Sequence, residues 1–319
     1  MIPPGYAVRP ANRSDLDAVT RVSVACDMLD WGSAAVEAQD ILDDWDRPSF
    51  DLERDSVVVA TEEAGQVVGY GFVATEGDPV ELEGWGAVDP DHQGRGIGAL
   101  LIERMEAIAG VHAARADGAV LLRMVVASVN TAAAELVQAH GYAPVRSWWH
   151  MEADLEAGSE PGPAPDGIRI EPFRAGGDDE RIYSVIEESF AEHWGFSPTP
   201  YDEWRRQHLE RGSLDPSLWF LAWDDDRVAG AITAGMRLEM GWIGELGVLK
   251  PWRGRGIAAA LLRRTFAEMA ARRYGRVGLN VDAQNTTGAT ALYEKVGMRV
   301  MKRFDVSEKE IRPGRSTTA

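Results

Sequence analysis

Two short segments carry the most readable chemistry: Gln93-Gly94-Arg95-Gly96-Ile97-Gly98 and Arg253-Gly254-Arg255-Gly256-Ile257-Ala258. Glycines remove side chains, so backbone N–H groups can approach an anion closely. A helix that begins directly after them adds unpaired donors and a partial positive charge. Arg253 and Arg255, and Arg95 in the first segment, add cationic charge. Such a loop suits a diphosphate, although an ordinary tight strand-to-helix turn uses glycine in the same way. No third glycine completes a dinucleotide-binding fingerprint in either segment, and no Gly-Lys-Ser/Thr completes a Walker loop.

The elements around the loops repeat as well. The second loop begins 160 positions after the first, and each follows an apolar run and a proline: Val88-Asp89-Pro90, then Val248-Leu249-Lys250-Pro251. Each opens a helical pattern, from Ile97 and from Ile257, followed by a strand-like run that ends at Asn130 or Asn285. Each closes at a glycine corner, Gly141-Tyr142 and Gly297-Met298. Matching surroundings at a nearly fixed offset predict an internally duplicated fold. Upstream, Tyr6–Pro10 and Ile168–Pro172 predict first strands, with Asn12 or Ser14 capping a helix through Leu16, Val19 and Val22. Hairpins are predicted at Val57–Ala60 with Val67–Val73, and at Trp219–Trp223 with Val228–Ala234. The proline-rich stretch 156–167 reads as a linker between domains at 1–155 and 168–306, and 307–319 as a flexible polar tail.

Composition bounds the function class. The 319 residues suit two domains, and 45% hydrophobic with 26% charged residues is a globular balance. No apolar run reaches the length of a membrane span, and the start, Met1-Ile2-Pro3-Pro4-Gly5, lacks the basic and apolar regions of a signal peptide. Cys26 is the single cysteine, so no internal disulfide is possible, and a reducing cytoplasmic location is expected. The net charge of −18 argues against nucleic-acid and anionic-membrane partners. It favours cationic small molecules, or serves only solubility.

The order strand, glycine loop headed by Gln or Arg, helix, strand, Asn, helix, Gly resembles the GNAT family of acyl-CoA N-acetyltransferases. The family's Q/R-x-x-G-x-G/A motif is matched by Gln93–Gly98 and by Arg253–Ala258. The resemblance covers about residues 5–155 and 168–306 and implies an α/β fold with a mixed sheet, as two tandem GNAT domains. As an arrangement it is similar to two-domain acetyltransferases of the mycothiol-synthase type. It implies acetyl-CoA as cofactor, with its pyrophosphate on the loop amides and its pantetheine arm between two splayed parallel strands. In the second copy those strands end at Val248 and near Ala283. Carried over, the cofactor-binding positions are Leu246, Gly247, Val248, Arg253, Gly254, Arg255, Gly256, Ile257, Ala258 and Asn285, with Val88, Gln93, Gly94, Arg95, Gly96, Ile97, Gly98 and Asn130 in the first copy. The backbone N–H of Val248 or a neighbour would polarise the thioester carbonyl. Asn130 and Asn285 have a second reading as helix caps.

The copies differ where that family does its chemistry. Aligned on Val88 and Val248, Glu245 in the second copy stands where the first has Trp85. Glu245 reads as a general base, directly or through water, or as a structural acceptor at the strand splay. Tyr293 lies four residues before Gly297, the family's usual place for a phenolic acid, whereas Val137 precedes Gly141. Its other reading is a half-buried helix aromatic. Both departures fall in the first copy, which predicts catalysis in the C-terminal domain and a cradle without chemistry in the N-terminal one.

The insertion His193-Trp194-Gly195-Phe196, with Tyr201, Trp204 and His208, lies in the region that roofs the acceptor site in that family. His193, Trp194, Phe196 and Trp204 are candidate contacts for a cationic amine, or they are core packing. His193 and His208 lack zinc-ligand spacing with any cysteine, so no metal is expected. The expected activity is acetyl transfer from acetyl-CoA to a primary amine of a small molecule by direct attack. The alternatives are a non-catalytic acyl-CoA sensor or scaffold, and acetylation of a protein N-terminus or lysine.

Overall fold

The computed structural model describes residues 2–75, 81–116, 118–158, 160–210 and 214–312. The chain divides into two units, residues 1–148 with 302–319, and residues 149–301. In chain order the elements of the first repeat are β1 (Tyr6–Arg9), α1 (Leu16–Trp31), α2 (Ala38–Trp45), α3 (Leu52–Asp55), β2 (Ser56–Thr61), β3 (Val67–Thr75), β4 (Glu81–Val88), α4 (Ile97–Ala113), β5 (Val120–Ala127), α5 (Thr131–Ala139) and β6 (Ala143–Asp154). Those of the second are β7 (Ile168–Pro172), α6 (Asp179–Phe190), α7 (Tyr201–Arg205), β8 (Phe220–Asp224), β9 (Arg227–Arg237), β10 (Met240–Val248), α8 (Ile257–Ala271), β11 (Arg276–Asp282), α9 (Ala289–Lys295) and β12 (Arg299–Arg312). Between β6 and β7 the described residues form no helix or strand.

The first unit builds a mixed sheet in the order β1-β2-β3-β4-β5-β12. Neighbours in β1 through β4 pair antiparallel, and β4 and β5 pair parallel. Asn12 opens the first helical segment: its side chain accepts from Ser14 N–H at 3.0 Å, while Asp15 accepts from Asn12 N–H at 2.9 Å. Each carboxyl or amide oxygen thereby satisfies a donor that the helix start leaves unpaired. One apolar cluster joins α4 (Ile97, Leu101, Met105) to Val59, Leu82 and Leu122, and another joins α1 and α2 (Val19, Val22, Trp45) to Val58, Tyr70 and Phe72. Strand alternation sends successive residues to these two clusters. The second unit repeats the plan, in the order β6-β11-β10-β9-β8-β7. Here α6 packs on β9 and β10, and α8 on β8, β9 and β10.

Two expectations are corrected. The stretch from Ser307 is not a loose tail: Phe304–Arg312 pairs antiparallel with Val120–Ala127, and β12 runs to Arg312. The polar residues there belong to a strand in which Val306 is buried and Ile311 packs against the apolar cluster of the first unit. Residues 313–319 lie outside the described set. Consequently neither unit is a continuous stretch bounded at 155 or 168. Lys302–Arg312 of the second repeat completes the first unit, and Trp149–Asp154 of the first repeat enters the second. The polar linker sequence marks where the chain leaves regular structure, but strand pairing decides which unit each last strand serves.

A buried polar cluster holds the first unit where α3 meets α4. Asp55, 1% exposed, accepts from His112 Nε2 at 2.8 Å, from Arg54 Nε at 2.7 Å and from Asp51 N–H at 2.8 Å. Burial pushes the carboxyl up, but the bonds from His112 and Arg54 outweigh it and hold the pKa at about 2. A depressed carboxylate stabilises the fold above its unfolded pKa and loses that contribution as pH falls through the folded value. Asp55→Asn is therefore expected to cost roughly 2 kcal/mol at neutral pH. The gap should close as pH falls from about 4 to about 2, which urea unfolding at pH 7 and pH 3 would check.

Candidate active site

In the second unit, β10 and β11 pair only at Gly241–Val277 and Trp242–Gly278, then part. Beyond that point the two parallel strands leave a gap lined by backbone. Leu249 N–H bonds Ala229 O on the β9 side at 2.9 Å, so by strand alternation the Val248 N–H points to the β11 side, into the gap. The Val248 carbonyl is taken by Arg253 Nε at 3.0 Å. The glycine loop follows at once. Gly254 and Gly256 have φ of +80° and +82°, a conformation side chains resist. A Cβ on Gly256 would meet only Pro165, at 3.8 Å, so the space in front of the loop is open. The N–H groups of Gly254 through Ala258 make no hydrogen bond within the chain among the described residues. These orphan donors at a helix start fit a diphosphate. Arg253 also reaches Ser189 O and Glu192, and Arg255 bonds Asp224 at 3.0 Å, so both guanidiniums brace the loop.

Glu245 sits at an irregularity that the sequence did not reveal. β10 and β9 pair through Ile243–Ala234 and resume at Leu246–Ile232, so one extra residue of β10 bulges out between them. The bulge lies just past the point where β10 leaves β11. Glu245 N–H bonds Thr233 Oγ1 at 2.8 Å. Its Oε2 lies 3.3 Å from His208 Nε2, with the carboxylate side chain 24% exposed. Glycine at 247 lets α6 close on this strand: a Cβ there would stand 2.1 Å from Ser189 Oγ.

His208 comes from a wide helical turn, Arg206–Glu210, that continues α7. Its Nδ1 lies 2.9 Å from the Trp204 carbonyl, and its ring stacks on the Trp204 indole at 4.6 Å and 15°. Burial pulls the imidazole pKa down, but the hydrogen bond and charge of Glu245, with the Trp204 carbonyl and Glu187, carry it above the ordinary value. The Trp204–His208 spacing was a visible local signal for this pair. Nothing in the sequence joined His208 to Glu245.

Tyr293 lies on α9, in the apolar cluster against which Leu246 and Val248 pack. Burial pushes its phenol up to about 12, so it carries its proton at neutral pH. The two asparagines part company. Asn130 caps α5 by accepting from Ala133 N–H at 3.0 Å, whereas Asn285 accepts from Thr287 N–H at 2.8 Å in a turn before α9. Among the aromatic candidates, Trp204 is corrected: at 1% exposure it is core, touching Tyr183 and Trp219, and presents no surface to a substrate. His193 is half-buried with its ring against Phe190 at 4.4 Å. Its pKa is lowered by burial and by Arg253, and it also feels Asp282 at the end of β11. Trp194 is exposed and Phe196 half-buried.

The first unit keeps the cradle and changes the chemistry. β4 and β5 pair from Glu81–Leu121 to Gly84–Met124 and then part, and Gly94 and Gly96 have φ of +72° and +83°. Gln93 Nε2 holds the Val88 carbonyl at 3.3 Å as Arg253 holds that of Val248. However, β3 and β4 pair in unbroken register from Gly69–Val88 to Thr75–Leu82, so the bulge has no counterpart. Trp85 packs with Tyr70 and Phe72, and Val137 is buried core. Cys26 Sγ lies 3.1 Å from Val88 O, and burial pushes the thiol up to about 12, which keeps it unreactive. Among the described residues no group of three or more His, Cys, Asp or Glu side chains is arranged to hold a metal, and no helix is long and apolar enough to cross a membrane.

Parted parallel strands beside a glycine-loop anion cradle, present twice, define an acyl-CoA-dependent N-acyltransferase. Residues 180–298 match the acetyltransferase (GNAT) family, and residues 53–144 match an acetyltransferase (GNAT) domain. The chain belongs to the GNAT family and is an N-acetyltransferase. A mycothiol acetyltransferase of Beutenbergia cavernae is 33% identical over 254 residues, 75% of this chain and 79% of that protein. One of Geodermatophilus obscurus is 30% identical, over 75% of this chain and 78% of that protein. The crystal structure of a GCN5-related N-acetyltransferase from Sphaerobacter thermophilus has a TM-score of 0.84 at 32% identity, with 98% of each chain covered. A tandem GNAT protein from the clavulanic acid biosynthesis pathway shares the fold, with a TM-score of 0.75 at 16% identity over 97% of this chain and 99% of that one.

Proposed function

We propose that the second unit transfers the acetyl group of acetyl-CoA to a primary amine of a small molecule, by direct attack within a ternary complex. The observation that carries this reading is the β10 bulge, which sets Glu245 just past the point where β10 leaves β11, in one unit only. Bound acetyl-CoA supplies an acetyl thioester. The amides of Gly254 through Ala258 hold its diphosphate, and the Val248 N–H donates to the thioester oxygen. Glu245 takes the proton that the attacking amine must lose. Tyr293, protonated at neutral pH, donates its O–H hydrogen bond to the departing sulfur. The first unit, with a cradle but neither group, binds acetyl-CoA as a structural or regulatory ligand.

The acceptor class follows from the relatives named mycothiol acetyltransferase, which makes the free amine of a mycothiol precursor the leading acceptor. Carboxylates at the site, Glu245 and Glu187, suit an acceptor that arrives as a cation. Thiol release from acetyl-CoA, measured against desacetylmycothiol, aminoglycosides, polyamines and peptides, tests the reading. Release with a small amine supports it; release with peptides alone, or with nothing while CoA still binds, overturns it. Tyr293→Phe is expected to lower kcat about tenfold while CoA affinity, read by calorimetry, stays within about twofold.

A further inference from the structure

The geometry around His208 leaves one proton to be accounted for. A carbonyl oxygen cannot donate, so the 2.9 Å contact with Trp204 O fixes the imidazole's Nδ1 as the donor. The other nitrogen, Nε2, then stands 3.3 Å from a carboxylate oxygen. Two lone pairs at that separation repel, so the contact is favourable only with a proton between Nε2 and Oε2. The ring cannot turn away without leaving the Trp204 indole, on which it lies at 15°. A charged imidazole over an indole face gains further attraction.

We infer that His208 and Glu245 accept the amine's proton as one unit, in which the proton comes to rest on His208 Nε2 rather than on the carboxylate. This rests on the transferase reading above. In the step, the N–H bond of the attacking amine breaks and its electron pair stays on nitrogen. Above the pair's midpoint Nε2 has given its proton to solvent, so the amine's proton passes to Glu245 Oε2 and on to Nε2, where an N–H bond forms, and Glu245 ends as the anion it was. The imidazolium then returns the proton to solvent. A lone carboxylate is a weak base for an amine at neutral pH, whereas an imidazole is a stronger one. The charged groups facing the ring among the described residues are Glu245 from β10 and Glu187 from α6, and both favour the imidazolium. Thr199 N–H bonds Glu187 at 3.3 Å, keeping that carboxyl directed to its own loop. His208 is a positioning and proton-holding residue, so its removal acts on proton transfer rather than on cofactor binding.

Two measurements test the pair. In the full chain, NMR titration of the imidazole C2–H, assigned by its loss in His208→Gln, should give a midpoint above the ordinary histidine value of about 6.5. That midpoint should fall in Glu245→Gln, where burial is opposed only by the Trp204 carbonyl and Glu187. A midpoint at or below 6.5 in the unaltered protein, or one unmoved by Glu245→Gln, overturns the pair. With the amine acceptor identified, kcat/KM of the unaltered protein divided by that of His208→Gln cancels the acceptor's own ionisation. The ratio should rise about tenfold across an inflection above pH 6.5, with KM for acetyl-CoA within about twofold. His208→Asn should give the same ratio, since neither amide holds a proton. A flat ratio overturns the relay even if the NMR result stands. Failure of every amine to be acetylated sinks the transferase reading and the relay with it, while the NMR result still decides whether the pair exists.

Discussion

Glu245→Gln is expected to lower kcat by about a hundredfold or more, with KM for acetyl-CoA changed by less than about twofold. The amide keeps the volume of the side chain and can still meet Thr233, so the bulge between Ile243 and Leu246 has no reason to collapse. What is lost is the ability to take a proton. The loss should not add to that of His208→Gln, because the two side chains meet at 3.3 Å and are argued to act as one group. Steady-state kinetics of the two single variants and the double variant check this. Losses that multiply in the double variant would separate the residues into independent contributors. If neither single variant slows the reaction by threefold, the assignment of the base fails.

Gly256→Val is expected to raise KM for acetyl-CoA tenfold or more. A β-branched residue at φ +82° carries strain of about 1–3 kcal/mol. Its side chain would also stand in front of the free amides of Gly254 through Ala258, where the chain itself leaves open space. Gly96→Val imposes the same backbone strain, at φ +83°, on the equivalent loop of the first unit. It should leave kcat and KM within about twofold if chemistry belongs to the second unit, and it should abolish whatever acetyl-CoA binding the first unit contributes. Calorimetric titration of each variant, with turnover measured in parallel, separates the two sites. Equal effects of the two variants on KM would place a working cradle in each unit.

The sequence by itself determined a great deal, because its signals were local and came twice. Glycines at 94, 96, 254 and 256 are required by positive φ at a helix start, and spacing alone exposes that requirement. Helices such as α6 and α8 and the hairpins β2–β3 and β8–β9 follow from apolar periodicity and turn residues. The substitutions of Trp85 for Glu245 and Val137 for Tyr293 were visible by aligning one copy on the other.

The tertiary structure decided what depends on residues far apart in the chain. Strand exchange was hidden because β12 is polar along much of its length, and only its pairing with β5 shows which sheet it completes. The bulge in β10 is a register mismatch with β9, a property of two strands that neither encodes alone. Trp204 could be read as an amine contact or as core packing, and it is core because one face of a short helix turns inward. His208 carries no signal for Glu245, 37 positions on, since a hydrogen bond between distant residues leaves no spacing to read. Local conformation is written in residue type and period, whereas the proton-transfer geometry arises where separately specified elements pack together.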